Sequence, residues 1–243
     1  MEEHRRHAMN LILLFNADFF ETNKVRLGGR RMEHIRNVHR AKAGDELTVG
    51  LADGLIGRGT ILSFENDTIE MAIKLIQNPP PPLPITLVLA LPRPKVLRRV
   101  LQTVTTMGIK KIFLINAYRV EKSYWGSPFL KEGSIRQQLH LGLEQGRDTM
   151  IPEVLSRPLF KPFVEDELPG IILGTEPLLA HPEADRECPR DMTGALTLAI
   201  GPEGGFVQYE IDKLEETGFT PVNMGKRILP VEAAVPALLS RLR

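Results

Sequence analysis

The 243-residue sequence contains a single cysteine, Cys188, which excludes an internal disulfide and a zinc site built from several cysteines. Such cysteine usage is typical of a reducing compartment. No apolar run approaches the roughly 20 residues of a membrane-spanning helix. The start of the chain has acidic residues ahead of a very short apolar run, unlike a secretory signal peptide. These absences predict a cytoplasmic protein without a membrane segment.

Several common catalytic signatures are also absent. There is no G-x-G-x-x-G with a following acidic residue, which disfavours a nicotinamide-binding site, and no G-x-x-x-x-G-K-[ST] phosphate-binding loop. Neither G-x-S-x-G nor H-E-x-x-H occurs. The six histidines are scattered, so the sequence predicts no metal site.

Positive charge is unevenly distributed, although the formal net charge is only +1. Residues 24–42 hold seven basic residues against one acidic residue, and residues 93–122 hold eight against one. Two basic clusters on a nearly neutral protein indicate a polyanionic partner. In the first cluster, a helix is expected over Arg31–Lys42, with Arg36 and Arg40 on one face. That face either contacts phosphates or is simply solvated.

The pattern of apolar residues changes at the proline run of residues 77–84, QNPPPPLP. Residues 9–76 alternate as short strands with turns, typical of a small β-rich unit, and the strands are expected at 10–15, 45–51, 57–64 and 68–76. Beyond the prolines, continuous apolar runs alternate with amphipathic helices, which predicts a mostly parallel sheet covered on both faces. Five of these strands are expected at 85–91, 110–116, 178–180, 196–200 and 220–224, and an acidic helix at 160–168. The sequence therefore predicts an α/β fold with a domain junction at the proline run.

Two glycine loops lie at predicted strand ends, where parallel sheets bind ligands. The first is Gly201-Pro202-Glu203-Gly204-Gly205, and the second begins at Met224-Gly225. Glycine allows the backbone to approach a ligand closely, and the following amides can donate hydrogen bonds. The two loops together predict one ligand held mainly by backbone groups.

The same stretch carries a family resemblance. Four segments resemble motifs of the bacterial 16S ribosomal RNA uridine-N3 methyltransferases (RsmE-type) of the SPOUT superfamily. They are AIGPEGGFVQYEI, MGKRILPVEAAVPALL, LEQGRDTMIPEV and KVLRRVLQTVTTMGIKKI. The resemblance extends from about Leu11 to Leu242. It implies a PUA-like RNA-binding β-barrel domain at 1–82 and a SPOUT methyltransferase domain at 83–243, with a carboxyl-terminal trefoil knot. It also implies the cofactor S-adenosyl-L-methionine (SAM), a homodimer, and 16S rRNA or the small ribosomal subunit as partner.

The resemblance also implies site residues. The cofactor would be bound by Ala180, His181, Pro182, Ile200, Gly201, Pro202, Glu203, Gly204, Gly205, Met224, Gly225, Ile228 and Leu229. Arg227 and Glu232 would be catalytic. The basic clusters, rather than the resemblance, supply most of the candidate RNA-binding residues, which are Arg30, Arg31, Arg36, Arg40, Arg93, Lys95 and Arg147.

Alternatives remain at four of these residues. Arg227 can hold the last loop rather than touch the substrate. His181 can be an ordinary turn histidine, Glu203 can cap the helix that follows it, and Glu232 can form a structural salt bridge. Pro236 in the last helix leaves the carbonyl of Glu232 without its amide partner, and that carbonyl is expected to face the cofactor or a partner subunit.

The chain departs from the family pattern at two positions. Pro230 stands where the family usually has arginine, and Ala233 where threonine is common. A cation and a hydroxyl are therefore missing beside the expected site. Two alternatives to a uridine-N3 methyltransferase stay open: an RNA-binding paralogue with weak or no catalysis, and a SPOUT methyltransferase acting on another RNA.

Overall fold

A computed structural model describes residues 10–65 and 67–243. The prediction that the start of the chain is not a signal peptide concerns residues 1–9 in part, and these residues lie outside the described range. By contacts, the chain forms two units. The first contains residues up to Pro81 together with His140–Ile151, and the second contains Pro82–Leu139 and Pro152–Arg243. None of the helices in the described part of the chain combines the length and apolar character that a membrane crossing requires.

The first unit is built on a mixed six-stranded sheet. Its strands are β1 (Ile12–Leu14), β2 (Phe19–Glu21), β3 (Lys24–Gly28), β4 (Glu46–Leu51), β5 (Ile56–Glu65) and β6 (Thr68–Gln77). Their order is β1-β4-β5-β6-β3-β2, with β1 parallel to β4 and the other pairs antiparallel. The sequence predicted β1, β4, β5 and β6 but not β2 and β3. In β3 the exposed Arg26 forms an ion pair with Glu70, which lies directly opposite on β6. The charged residue is therefore accommodated within the sheet.

The predicted helix over Arg31–Lys42 is shorter than expected and irregular. Helix α1 (Gly29–His34) continues as one π-helical segment, Ile35–His39. Arg40 is left-handed, with φ of 53°, and its N–H donates to the Ile35 carbonyl, five residues back. The helical backbone thus ends at His39, so residues 40–42, which the prediction placed in the helix, lie outside it.

A stretch distant in sequence completes the first unit. The Leu11 N–H donates to the Glu144 carbonyl at 3.1 Å. Leu143 is buried in a cluster with Leu11, Leu13 and Ile56. Residues 140–151 therefore add apolar surface and backbone hydrogen bonds to the sheet that begins the chain.

The second unit has a parallel six-stranded sheet. Its strands are β7 (Ile85–Ala90), β8 (Lys111–Ile115), β9 (Glu153–Arg157), β10 (Glu176–Ala180), β11 (Leu196–Ile200) and β12 (Thr220–Val222). Their order is β12-β10-β11-β7-β8-β9, and every pair is parallel. Every residue of β11, at the middle of the sheet, is buried. The structure confirms the predicted α/β class.

Helices lie between these strands. They are α2 (Pro94–Thr106), α3 (Lys122–Trp125), α4 (Glu132–Gly146), α5 (Phe160–Pro162), α6 (Leu168–Ile171) and α7 (Gln208–Glu216), with a 3-10 turn at Pro128–Leu130 and a π segment at Phe163–Glu167. Helix α8 (Val231–Leu242) follows β12, and a further 3-10 turn, Asn16–Asp18, belongs to the first unit. Pro94 begins α2, because a missing N–H costs nothing in the first turn. Gly108, with φ of 90°, allows the chain to turn away after it. The single acidic helix predicted over 160–168 is instead α5, the π segment and α6.

Candidate functional site

A cavity of about 500 Å³ lies at the carboxyl ends of β10, β11 and β12 in the second unit. Each of these strands ends in a loop that lines it. The cavity loops are residues 180–183 after β10, residues 200–208 around the end of β11, and residues 222–229 after β12. Val231, Ala234 and Leu238 of α8 complete the wall, spaced as on one face of a helix. This is the edge at which the sequence predicted a ligand.

The GPEGG loop is a tight turn that requires its glycines. The Gly205 N–H donates to the Pro202 carbonyl at 2.8 Å, and Gly205 has φ of 72°. A Cβ on Gly201 would lie 3.1 Å from the Phe206 nitrogen and 3.2 Å from the Gly205 Cα. Backbone thus packs against backbone at the floor of the cavity, where a side chain has no room.

Asn223 connects two of the cavity loops. Its Nδ2 donates to the Ala184 carbonyl at 2.6 Å and to the Arg186 carbonyl at 3.2 Å, and its Oδ1 accepts from the Gly225 N–H at 2.8 Å. Gly225 has φ of 95°, so the loop turns there in a conformation that favours glycine. The loop after β10 and the loop after β12 are therefore held by one side chain.

His181 lies in a turn and also lines the cavity. Its N–H donates to the Val222 carbonyl at 3.0 Å, and its carbonyl accepts from the Ala184 N–H at 3.2 Å. The half-buried side chain is part of the cavity wall. The turn and the ligand interpretations of this histidine are thus compatible.

Glu203 caps a helix, but not the one that follows it. Its Oε1 accepts from the Arg93 N–H at 3.0 Å, at the residue that precedes α2. The carboxylate that reaches the start of α7 belongs to Glu210, whose Oε2 accepts from the Val207 N–H at 3.0 Å. The expectation that Glu203 caps the following helix is therefore wrong, because the tight turn directs its side chain towards the loop after β7.

Arg119 joins the cavity from the loop after β8. Its Nη1 donates to the Gly204 carbonyl, and its side chain lines the cavity. A Cβ on Gly204 would lie 2.9 Å from the Arg119 Cδ, so the arginine stem packs on the glycine backbone. Arg119 and Arg227 contribute two positive charges to the cavity wall, and Glu183 and Glu203 contribute two negative charges.

All thirteen residues expected at the cofactor line this one cavity. Arg227 lines it too, on an exposed part of the last loop. Glu232 is not among the lining residues and lies half-buried in the first turn of α8. Pro236 lies inside α8, four residues beyond Glu232.

The basic residues expected at RNA differ in their surroundings. Arg31 forms two 2.6 Å bonds with Asp18 and donates to the Leu13 carbonyl, so its charge is already paired. Arg30 forms two bonds of 2.9 and 2.8 Å with the buried carboxylate of Glu144. Exposed positions are held by Arg36, Arg40, Arg93, Lys95 and Arg147.

Cys188 lies behind the cavity loops. Its N–H donates to the Asn223 carbonyl at 2.8 Å, and its own carbonyl accepts from Arg241 Nε at 2.6 Å. Burial raises the pKa of the Cys188 thiol, and the positive charges of Arg241 and Arg186 oppose that change. Over residues 10–65 and 67–243, no group of three His, Cys, Asp or Glu side chains is arranged to hold a metal ion.

Sequence reasoning did not single out Asn223, Glu210 or Arg119. Asn223 directly precedes the second glycine loop, and that position was the available signal. Glu210 is 3% exposed and accepts from the nearby Val207 N–H and from the Tyr118 N–H, and this second partner is distant in sequence. Arg119 belongs to the second basic cluster, and only the fold separates it from its neighbours.

Residues 79–243 match the RNA methyltransferase domain family, and the chain belongs to that family. The chain is similar to ribosomal RNA small subunit methyltransferase E of Treponema pallidum, with 29% identity over 85% of this chain and 80% of that protein. It is similar to ribosomal RNA small subunit methyltransferase E 1 of Borreliella burgdorferi, with 23% identity over 94% of this chain and 95% of that protein.

Solved structures share the fold. A crystal structure of ribosomal RNA small subunit methyltransferase E from Neisseria gonorrhoeae bound to S-adenosyl methionine has a TM-score of 0.73 at 21% identity, covering 96% of this chain and 95% of that chain. A Legionella pneumophila structure in complex with bound SAM has a TM-score of 0.74 at 23% identity, covering 95% and 96%.

Proposed function

We propose that this protein transfers the methyl group of SAM to N3 of a uridine in 16S ribosomal RNA of the small subunit. The observation that carries the proposal is the cavity at the ends of β10, β11 and β12, which gathers all thirteen residues expected at the cofactor. Membership of the RNA methyltransferase domain family, and similarity to named small subunit methyltransferases, support the substrate class.

The residues at the cavity fit SAM. Its volume of about 500 Å³ lies within the usual range for small-ligand sites. Gly201 packs on the backbone of Gly205 and Phe206, and Gly204 packs on the Arg119 stem, so neither position has room for a side chain and a ligand can approach the main chain there. Apolar groups of Ile200, Phe206 and Leu238 offer a surface for a flat ring.

Within this site the protein mainly orients the reactants. The SAM sulfonium, when bound, supplies an activated methyl group. Uridine N3 carries a proton that must leave before or during attack, and a cation beside the base oxygens favours the deprotonated form. We assign that role to Arg227, which lines the cavity from its exposed rim. Glu232, in the first turn of α8, is the second catalytic candidate, and its Glu232→Gln variant tests it.

The experiment is methyl transfer from labelled SAM to small subunits isolated from a strain that lacks this modification. We expect label in 16S RNA, and mass spectrometry should locate it on N3 of a uridine. Loss of an electrostatic donor at a reacting centre typically lowers the rate about 100-fold. The rate of methyl transfer by Arg227→Gln should therefore be lower than that of wild type by about this factor. Lys226→Gln is the matched control, because Lys226 is exposed beside it but does not line the cavity. Unlabelled RNA with wild-type protein would refute the proposal.

Each unit is proposed to contact RNA through its own exposed cations. In the first unit these are Arg36, Arg40 and Arg147, and in the second Arg93 and Lys95. The paired Arg30 and Arg31 would contribute less. Removing one cation that binds a phosphate lowers the salt dependence of RNA binding by about one unit of the log–log slope. Replacing Arg36 and Arg40 by glutamine should therefore reduce that slope by up to about two.

The finer architecture is also a proposal. We infer a PUA-like barrel at 1–82, a SPOUT domain at 83–243 and a trefoil knot formed by the chain from β10 to α8. Support for the barrel comes from its six-stranded mixed sheet, and for the knot from the placement of β12 beside β10 rather than β11. A crystal structure with continuous density from Glu176 to Leu242 would decide whether the chain threads through its own loop.

A homodimer and a cytoplasmic location complete the proposal. Ile228 is 81% exposed at the cavity rim, an apolar position that a second copy would cover. Sedimentation of the purified protein should give twice the 27.3 kDa chain mass.

The cytoplasm is where small subunits assemble, and fractionation of cells should find the protein there.

A second candidate is an RNA-binding paralogue with weak or no catalysis. Pro230 and Ala233 favour it, since neither supplies the cation or hydroxyl that the family has there. Calorimetry with SAM separates the two, because a site that does not bind SAM supports the paralogue. A methyltransferase acting on another RNA would instead show its label on a different nucleotide.

A further inference from the structure

Tyr118 is an exposed aromatic residue on a well-anchored turn. Its side chain is 83% exposed. The residues on either side of the turn, Ala117 and Val120, are 2% and 6% exposed, and the Val120 N–H donates to the Ala117 carbonyl at 3.0 Å. The fixed turn holds this ring in solvent, where it is available for stacking with a ligand.

The turn is fixed to the cavity by a buried carboxylate. The Tyr118 N–H donates to Glu210 Oε1 at 2.6 Å, and Glu210 Oε2 accepts from the Val207 N–H, which belongs to a lining residue. Glu210 is 3% exposed, so both bonds are shielded from water. The backbone of Tyr118 is thus positioned relative to the loop after β11, while its ring is free to contact a ligand.

The neighbours of Tyr118 lead directly to the site. Arg119 follows it, lines the cavity and donates to the Gly204 carbonyl. On the other side, Asn116 Oδ1 accepts from Trp125 Nε1 at 2.9 Å and holds the start of the turn. Tyr118 therefore stands one residue away from the cavity wall, on the side of β8.

We propose that Tyr118 stacks on the uracil that enters the cavity, and so positions the target base for methylation. The inference rests on the proposed function. A base inside folded RNA is reached only after it leaves its stack, and an aromatic side chain replaces the stacking that it gave up. The fixed backbone and exposed ring of Tyr118 suit that task, and the next residue, Arg119, lines the cavity.

The experiment measures transfer to unmethylated small subunits by wild type, Tyr118→Ala, Tyr118→Leu and Tyr118→Phe. Loss of one base–aromatic stack corresponds to about 5- to 150-fold, so Tyr118→Ala and Tyr118→Leu should lose kcat/KM in that range. Tyr118→Phe keeps the ring and should stay within about twofold of wild type. Leu173→Ala is the matched control, at a position 79% exposed in the same unit. The Kd for SAM should be unchanged in every variant, which a structural defect would not allow.

Three results would overturn the inference in distinguishable ways. If wild type transfers methyl and Tyr118→Ala transfers equally well, the stacking role is refuted while the proposed function stands. If wild type transfers none, the proposed function fails and this role fails with it. If Tyr118→Ala instead changes sedimentation, Tyr118 contacts a second copy, and the stacking role is also refuted.

Discussion

Asn223→Ala should weaken both the fold and SAM binding. The substitution removes an amide that joins the loop after β10 to the loop after β12. It deletes the bonds from Nδ2 to the Ala184 and Arg186 carbonyls, at 2.6 and 3.2 Å, and the bond from the Gly225 N–H to Oδ1, at 2.8 Å. The backbone bonds of Asn223 to Arg186 and Cys188 stay, so the strand itself is kept.

The magnitude follows from these three bonds. A hydrogen bond contributes about 0.5–1.5 kcal/mol net, and the 3.2 Å bond belongs at the low end. Water replaces part of the loss at a half-buried position, so we expect unfolding to become easier by about 1–3 kcal/mol. For a chain of this size that lowers the Tm by about 3–10 °C. If about 1.4 kcal/mol is then needed to reorder the loops around SAM, the Kd rises about tenfold.

Thermal unfolding and calorimetry with SAM give the two readouts. Asn223→Asp keeps the oxygen that accepts from Gly225 but loses both donor bonds, so its effect should lie between wild type and Asn223→Ala. Asn78→Ala is the matched control, an asparagine in the exposed proline segment. Wild-type Tm and SAM affinity in Asn223→Ala would show that the two loops hold their positions without this side chain, which refutes the reasoning.

Three further predictions concern other parts of the chain. Gly201→Ala should destabilise the protein by about 1–3 kcal/mol in denaturant titration, because its Cβ meets backbone at 3.1 Å; an unchanged midpoint would contradict this. Because the pKa of Cys188 is raised, the folded state keeps its thiol proton above pH 9.0, where the unfolded state releases it. The protonated thiol therefore contributes its full stabilisation below pH 9.0, and that stabilisation is lost as the pH rises above this value. The Tm difference between wild type and Cys188→Ala should therefore shift against wild type between about pH 8 and about pH 10. Arg31→Met leaves the largely buried Asp18 carboxylate without its partner and should lower the free energy of unfolding by about 2–4 kcal/mol. Arg36→Met, at an exposed position, should change it by less than about 0.5 kcal/mol.

The parallel sheet of the second unit was predictable because its signal is local. Strand β11 has five consecutive buried residues, Leu196–Ile200, and the predicted bounds agree with the structure. A strand covered on both faces must be apolar throughout, so its sequence shows it without knowledge of its partners. The convergence of the glycine loops followed from the rule that strand ends of a parallel sheet share one edge.

The first unit was harder to predict because its determinants are distant in sequence. Strand β3 carries Arg26, which indicates a charged surface until Glu70 is placed opposite it. Arg31 belongs to the same basic cluster, yet Asp18 neutralises it. A count of charges along the chain cannot separate paired from solvated cations, because pairing depends on contacts between residues far apart.

Under the proposed function, different residues hold the cofactor and choose the base. The floor of the cavity is backbone around Gly201, and a substitution at Pro230 does not reach it. Pro230 is exposed at the start of α8, where its carbonyl still accepts from the Ala233 and Ala234 N–H groups at 2.9 and 2.8 Å. The helix therefore begins normally without the family's arginine. A missing cation at this rim would slow transfer to the base without weakening SAM binding, so a SAM titration and a methylation assay test different parts of one site.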